Sequence, residues 1–480
     1  MRTRRRGTGG TAGRVDTGPT SRFRCLSALC LLTALLLVVG ILPGRASPVP
    51  ELLVDIIVSH NLALRQESLE DESYRGEEGI LRIRPEIGRE LGLKVSMGEV
   101  YLKARSLHDD AEKALERARQ LMAARSEPSQ PGESARNIVE AFLAHKKMTL
   151  KANALLRDYT RSLTPEADER LDRQLCWDLM VRLLEDSLRR TEGRLRDALG
   201  CFVNTCQGIR TPSCITPENV RFVNTVFREF VDRAPEGLLE AYDLDRLDPS
   251  RASNLPPGWK SAVGSEAEKI AGLVEDALHK LGRDGSVQVD PLLFLALIRR
   301  ESQFDPKAIS HVGAAGLTQI MPRTAEEMGM ENVYHPDYFE QAFDLLQKER
   351  EARREATAAL FSITPGNGLE MATRARELMQ ESFRLRQEKN RLFSKYRREL
   401  QGRPSDPRLQ PEKAVEYGLV YFNGLLQDQE GDISLALASY NAGPHRVQQY
   451  SGIPPYGETV RFRNRVLEFY REYLTKLGNS

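Results

Sequence analysis

"DPLLFLALIRRESQFDP" (290–306) carries a helix start, an apolar helix body and a helix stop within seventeen residues. Asp290 is suited to cap a helix whose first residue is Pro291, because proline's missing N–H is not needed there. Leu292 to Ile298 form the apolar body. Pro306 disfavours helix at Asp305 and so limits the element. Glu301 then falls in the last turn, with Leu297 at i−4, Ile298 at i−3 and Phe304 at i+3. Arg299 and Arg300 lie about 200° and 100° around the helix from it, and are expected to face solvent. Apolar neighbours and the negative end of the helix dipole both disfavour a carboxylate, so both raise its pKa. That is the state a general acid needs near neutral pH. Taken alone, the stretch reads better as a solvated glutamate at a helix end.

The rest of the chain sets the context. Its 480 residues are 40% hydrophobic, 29% charged and 7% aromatic. That is too long for one core and too apolar for a disordered chain. Frequent Leu, Ala, Glu and Arg favour helix. The expected fold class is mainly α: a helical N-terminal domain (47–244), a Pro/Ser-rich linker (245–264) and a catalytic domain (265–480). Helical patterns cover 99–122 and 133–159, joined by a linker at 126–133. Thr164-Pro165 and Thr216-Pro217 read as helix starts. No internal repeat is read, and the doubled FVNT at 202–205 and 222–225 reads as coincidence.

Residues 1–46 are of a different character. Eight arginines and one acid accompany an uncharged stretch, Cys25 to Leu42, followed by Pro-Gly-Arg-Ala-Ser. A basic start, an apolar run and a small-x-small end read as an export signal. The run is also long enough for an uncleaved membrane anchor at 25–42. Either way the expected location is the periplasm or cell envelope. Loss of 1–46 removes a net +7 from a chain of +1 and leaves −6, which argues against nucleic acid as a partner. Four cysteines remain: Cys176, Cys201, Cys206 and Cys214. In an exported chain they permit two disulfides, in three pairings. Zinc is disfavoured, because the spacings lack a C-x-x-C pair and no histidine lies nearby.

Within 265–480, residues 338–405 read as an inserted antiparallel helical hairpin. Its second half repeats Met371, Leu378, Leu385 and Leu392 every seven residues, the mark of a narrow seam. It holds fourteen Lys/Arg against ten Asp/Glu. It is read as a solvated hairpin, with a docking arm for an envelope protein or a lid near anionic polymer as the sharper reading. The N-terminal domain is the other candidate surface for such a partner.

Two further stretches bear on Glu301. "SHVGAAGLTQIMP" (310–322) is a Gly/Ala-rich turn in which Gly313 and Gly316 let backbone approach a ligand. "ALASYNAGPHRV" (436–447) puts Tyr440 and Asn441 where a helix stops at Gly443-Pro444. An aromatic ring and an amide there suit a sugar. In this order the motifs resemble the lysozyme-like catalytic domain of the soluble lytic transglycosylase family. Glu301-Ser302 is similar to its Glu-Ser motif, and "GLTQIMP" (316–322) to its Gly-Leu-Met-Gln strip, with Thr318 for Met. Ser310, Gly313 and Ala314 fit the preceding Ser-x-x-Gly-Ala. "AVEYGLVYF" (414–422) keeps Gly418 and Tyr421, with Ala414 for Asn. "SYNAG" (439–443) resembles Ala-Tyr-Asn-Ala-Gly, and "PYGETVRF" (455–462) keeps Glu458 and Thr459, with Phe462 for the usual Tyr. The resemblance covers about 265–336 and 406–475.

It implies cleavage of the β-1,4 bond between N-acetylmuramic acid and N-acetylglucosamine in peptidoglycan glycan strands, closing a 1,6-anhydro ring. Glu301 is then the catalytic acid. Ser302, Ser310, Gly316, Gln319, Met321, Tyr421, Tyr440, Asn441 and Glu458 are the implied substrate-binding residues. No metal and no organic cofactor is implied. One carboxylate suffices, unlike the usual pair of glycoside hydrolysis. The rivals are a lysozyme-type hydrolase, with Asp305 or Glu458 as second carboxylate, and an inactive peptidoglycan-binding envelope scaffold.

Overall fold

The computed structural model of the protein describes residues 49–68, 74–124, 131–248, 258–265, 267–282 and 289–478. The signal or anchor expected at 1–46 lies outside them, as do most of the 126–133 linker and residues 249–257 of the 245–264 linker. Residues 47–480 form one compact unit. Among the described residues no helix is long and apolar enough to cross a membrane.

All regular elements of the described residues are helices, and β-pairing is limited to isolated bridges. The first half runs α1 (Glu51–Ser68), α2 (Pro85–Glu90), α3 (Glu99–Ala123), α4 (Pro131–Ser162), α5 (Arg173–Arg190), α6 (Leu195–Gln207), α7 (Val220–Arg233) and the short α8 (Glu236–Leu239). The second runs α9 (Glu268–Leu281), α10 (Pro291–Ser302), α11 (Pro322–Glu327), α12 (Asp337–Phe361), α13 (Gly368–Gln401), α14 (Pro411–Asp428), α15 (Ile433–Ala442), α16 (Pro444–Tyr450) and α17 (Gly457–Gly478).

Helix α10 forms as its sequence dictates. The Asp290 carboxylate accepts from the Leu292 N–H at 2.8 Å, and Pro291 opens the first turn. Leu292 through Ile298 are all fully buried. At about 1.5–3 kcal/mol for each large side chain, this run anchors the second half. It packs against α17, with α14 and α15 completing the cluster. The helix stops where Gln303 and Phe304 turn left-handed, at φ 54° and 65°.

Contrary to the sequence reading, the chain is built as two copies of one plan, offset by 237–240 residues. "EEGILRIRPEIGRELGL" (77–93) and "AAGLTQIMPRTAEEMGM" (314–330) fold alike. Glu78 bridges Ile83 as Ala315 bridges Ile320. Left-handed backbone recurs at Gly79 and Gly316 (φ 73° and 76°), at Arg82 and Gln319 (49° and 48°), and at Glu192 and Glu430 (55° and 51°). Arg170 is buried and pairs with Asp168 at 2.8 Å, donating to the Tyr159 hydroxyl at 2.7 Å. Arg408 does the same with Asp406 at 2.8 Å and the Tyr396 hydroxyl at 2.9 Å. "PENVRFVNTV" (217–226) and "GETVRFRNRV" (457–466) share six of ten residues. Both members of the FVNT doublet lie in the first copy, at positions that are not equivalent.

The inserted hairpin is present in both copies. Helices α3 and α12 are each 25 residues long, and α4 and α13 complete the pairs. The hairpins meet in one Ala-rich cluster to which each contributes equivalent residues, Ala118 with Ala356 and Met122 with Leu360 among them. Like residues from two copies in one contact are the mark of a local two-fold. The α12–α13 hairpin is therefore packed on α3–α4 along part of its length, rather than solvated on all sides.

The same two-fold orders the centre. The Asn224 amide donates to the Ile453 carbonyl at 2.9 Å and accepts from its N–H at 3.1 Å. The equivalent Asn464 donates to the Ile215 carbonyl at 2.9 Å. The chain at 243–247 crosses between copies: the Asp243 N–H donates to Gly193 and the Leu247 N–H to Gly431. Beside it, buried Arg463 reaches Asp197 and Asp245, each at 2.6 Å, and Arg196 reaches Asp432 at 2.7 Å. Burial alone would raise the Asp197 carboxyl, but Arg463 and Arg471 hold it well below the usual range. Asp245, Leu247, Trp259, Ala262 and Val263 are buried, so the described ends of the 245–264 stretch belong to the core rather than to a solvated linker.

Thr164-Pro165 makes only a turn. Helix α5 starts at Arg173, capped by Asp172, whose carboxylate accepts from the Leu175 N–H at 2.9 Å. Thr216 and Asn219 do exchange capping bonds ahead of α7. Of the four candidate cysteines, Cys201 and Cys214 form one disulfide. Cys176 and Cys206 are free and buried. The Cys176 thiol is held by the Glu169 and Arg170 carbonyls, and Cys206 lies in the apolar core.

Candidate active site

Glu301 lies in the last turn of α10, half-buried. Among the described residues its carboxyl has no hydrogen-bond or ion-pair partner. Burial pushes it up to about 8; the Arg300 charge opposes the rise and the Glu458 charge adds to it. The two arginines are less solvated than their helical angles imply. Arg299 lies over the Phe469 ring at 3.9 Å and pairs with Glu472 at 2.9 Å. Arg300 lies over Phe462 at 5.6 Å. Both are held sideways by α17, and neither forms an ion pair with Glu301.

Opposite Glu301, the end of α15 brings Tyr440. Its hydroxyl donates to the Thr318 carbonyl at 2.6 Å, and its ring lies 5.4 Å from Tyr421 and parallel to Phe462 at 6.4 Å. Burial first, then the Glu301 charge, raises the Tyr440 pKa far above the ordinary phenol value. The two groups therefore lie within electrostatic reach of one another. Asn441 accepts from the Thr459 hydroxyl at 2.8 Å, which ties α15 to the start of α17, where Glu458 is exposed.

The other expected site residues shape the loop. Ser302 is buried and donates to the Ile298 carbonyl at 3.1 Å, turned into its own helix. The Ser310 hydroxyl accepts from the Val312 and Ala314 N–H groups. Gly316 presses against the next segment, and a Cβ there would stand 1.6 Å from the Arg408 carbonyl oxygen. Gln319 donates its amide to Ala308 and Gly316 carbonyls at 3.0 and 2.8 Å. Thr318 donates to the Ala414 carbonyl at 3.0 Å and packs against Gly418. Met321 is half-buried beside Phe339 and Tyr396. Asp305 caps its own turn, accepting from the Lys307 N–H at 2.9 Å. Sequence reasoning gave no role to Phe462, Arg300 or Arg408. "VRF" after Glu458-Thr459 held the signal for Phe462, since it recurs after Glu218-Asn219.

The arrangement is that of a helical protein with one proton-retaining carboxyl at a helix end, facing an aromatic wall across a loop held by backbone bonds. Residues 283–344 and 385–457 match the transglycosylase SLT domain family. The unmatched interval falls within the hairpin. A transglycosylase of Enterobacteria phage PRD1 is 44% identical over 48 residues, 10% of this chain and 18% of the phage protein. Among solved structures, the 70 kDa soluble lytic transglycosylase Slt70 of Escherichia coli is 16% identical, covering 79% of this chain and 62% of that one, with TM-score 0.25. An inactive mutant of lytic transglycosylase Slt from Pseudomonas aeruginosa is 16% identical, covering 94% and 76%, with TM-score 0.24. The chain thus spans under two thirds of the phage and Escherichia coli relatives.

Proposed function

We propose that the protein is a peptidoglycan lytic transglycosylase. It cleaves the β-1,4 bond between N-acetylmuramic acid and N-acetylglucosamine and leaves a 1,6-anhydro end. The observation that carries this reading is the Glu301 carboxyl, without a partner among the described residues and pushed up to about 8, in the region that matches the SLT domain family. Protonated Glu301 donates its proton to the leaving glycosidic oxygen. The substrate's N-acetyl group helps stabilise the developing oxocarbenium ion. Glu301, now a carboxylate, takes the proton of the muramyl C6 hydroxyl as that oxygen closes on C1. The proton lost and the proton regained leave the enzyme unchanged, with no protein nucleophile. The Tyr440 and Tyr421 rings offer the sugar-packing wall. Ser310 and Gln319 hold the loop opposite it. Asn441 and Glu458, joined through Thr459 at the start of α17, are the further contacts offered to the sugar.

The lysozyme-type alternative requires a second carboxylate. Asp305 is engaged in its own turn, and Glu458 is exposed on α17, so a single-carboxylate mechanism fits better. The substrate places the protein in the cell envelope, exported by 1–46, with anchoring by 25–42 as the alternative to cleavage. Digestion of purified peptidoglycan followed by mass analysis tests the proposal. Anhydro ends, one water lighter and resistant to borohydride, are expected. Reducible ends, or no turnover, would overturn it.

A further inference from the structure

The first copy has its own groove at the equivalent place. It is a cavity of about 490 Å³ whose lining includes His60, Asn61, Arg82, Phe202, Glu218 and Phe222. That volume lies within the roughly 300–1,000 Å³ typical of ligand sites. Each of these six has a counterpart in the second copy: Arg300, Glu301, Gln319, Tyr440, Glu458 and Phe462 respectively. The likeness extends to contacts. The His60 ring lies 5.1 Å from Phe222, as the Arg300 guanidinium lies 5.6 Å from Phe462.

The decisive difference is Asn61. It is the eleventh residue of α1, as Glu301 is the eleventh of α10. An amide has no proton to give to a leaving oxygen, so this groove lacks the general acid. Asn61 is buried, and its Nδ2 donates to the Ile80 carbonyl at 2.9 Å. Its oxygen is left as the acceptor. The wall is retained: Phe222 is the same residue as Phe462, and Phe202 keeps the ring of Tyr440 without the hydroxyl. Arg82, Arg84 and Arg221 also line the groove, against Glu77 and Glu218. This cationic bias suits the lactyl and stem-peptide carboxylates of peptidoglycan. The Cys201–Cys214 disulfide ties the helix bearing Phe202 to the segment leading into Glu218, which keeps the wall in place.

We propose that the groove of the first copy is a non-cleaving binding site for peptidoglycan glycan strands. It grips a strand of the same polymer that the second copy cuts. The substrate class rests on the proposed function above. Two sites within one compact unit on one polymer raise avidity without any new contact, because the second binding step is intramolecular.

The test uses the full chain carrying Glu301→Gln, titrated calorimetrically with a peptide-free tetrasaccharide of alternating N-acetylglucosamine and N-acetylmuramic acid. Two equivalents are expected. Phe222→Ala should reduce this to one and weaken retention on insoluble sacculi at least tenfold, while the same substitution in the Glu301-bearing chain leaves tetrasaccharide cleavage unchanged. Arg221→Ala, on an exposed side chain of the same lining, serves if Phe222→Ala fails to fold. If wild type cleaves peptidoglycan but the Gln chain binds one equivalent, indifferent to both substitutions, the second site is overturned and the transglycosylase reading stands. If wild type neither cleaves nor binds, both fall, the transglycosylase reading first.

Discussion

Asn224 and Asn464 make the same contact from opposite sides of the local two-fold, each reaching a backbone carbonyl of the other copy, at Ile453 and at Ile215. The pair is not equal in weight. Asn224 is buried and takes both the carbonyl and the N–H of Ile453. Asn464 is half-buried, makes one bond across the two-fold, to the Ile215 carbonyl, and accepts from the neighbouring Arg463 guanidinium at 3.1 Å. Truncating a buried partner leaves the other group unsatisfied at about 1–3 kcal/mol. Asn224→Ala is therefore expected to destabilise the protein by about 2–3 kcal/mol, and Asn464→Ala by about 1 kcal/mol. Denaturant unfolding of both variants checks the order. Equal effects would mean the copies are not held together at these points.

The pH profile follows from Glu301. In the proposed mechanism its carboxyl carries a proton when the glycosidic oxygen leaves, and burial pushes it up to about 8. kcat/KM is expected to be flat at neutral pH and to fall about tenfold per pH unit above 8. A mechanism with an ionised second carboxylate would add a loss of activity on the acid side, near the ordinary carboxyl range. A profile measured from pH 4 to 10 on soluble glycan oligomers separates the two. Glu301→Gln is expected to lower turnover by about 10²-fold or more.

The same group makes a stability prediction of opposite sign. Its folded pKa is raised, so the unfolded chain ionises first. Stability is then lost as pH rises from the unfolded value of about 4.3 towards 8. Glutamine removes that cost. A full shift would cost roughly 3.7 kcal/mol at pH 7; because the carboxyl is only half-buried and partly screened by solvent, Glu301→Gln is expected to raise the unfolding free energy by about 2 kcal/mol there and to change little at pH 4. Melting curves at the two pH values decide it. A stabilisation that is equal at both would show that burial of charge is not the cause.

How much of this was legible in the sequence depends on what each feature needs. Helix α10 was readable from Asp290, Pro291 and Pro306, because capping and proline act locally. Glu301, Tyr440 and Glu458 stand in short motifs, and the fold brings Tyr440 and Glu458 within electrostatic reach of Glu301. The duplication was not read, although it fixes the architecture. Between 77–93 and 314–330 only five residues are identical, among them Gly79 with Gly316 and Pro85 with Pro322. Apolar positions exchange freely while volume and pattern are kept, so the core conceals descent. What persists is held by backbone geometry: the left-handed glycines, and the buried arginines with their Asp and Tyr partners. The acid itself differs between copies, so a search built on Glu301 passes over Asn61. Arg299 and Arg300 were misplaced for a different reason. Helical angle locates a side chain on its own helix and says nothing of the α17 aromatics that cover it.

The paired glycines give the last prediction, because they separate stability from activity. A Cβ on Gly79 would stand 1.8 Å from the Arg170 carbonyl oxygen, and one on Gly316 would stand 1.6 Å from that of Arg408. Both are left-handed, at φ 73° and 76°. Backbone cannot yield as a side-chain end does, so each Gly→Ala change displaces the loop as well as straining it. Comparable destabilisation, of about 2 kcal/mol or more, is expected for Gly79→Ala and Gly316→Ala. Their effects on catalysis should part. Gly316 accepts from the Gln319 amide at 2.8 Å, and the neighbouring Thr318 carbonyl accepts from the Tyr440 hydroxyl. A shift there moves the wall facing Glu301. Gly79→Ala strikes the Arg170 carbonyl in the first copy, where Asn61 stands in place of Glu301. At a temperature where both variants remain folded, Gly316→Ala should lose turnover at least tenfold on short soluble glycans, while Gly79→Ala stays within twofold of wild type. Equal losses would mean that the two copies are mechanically coupled at their loops and that the first is more than a partner in binding.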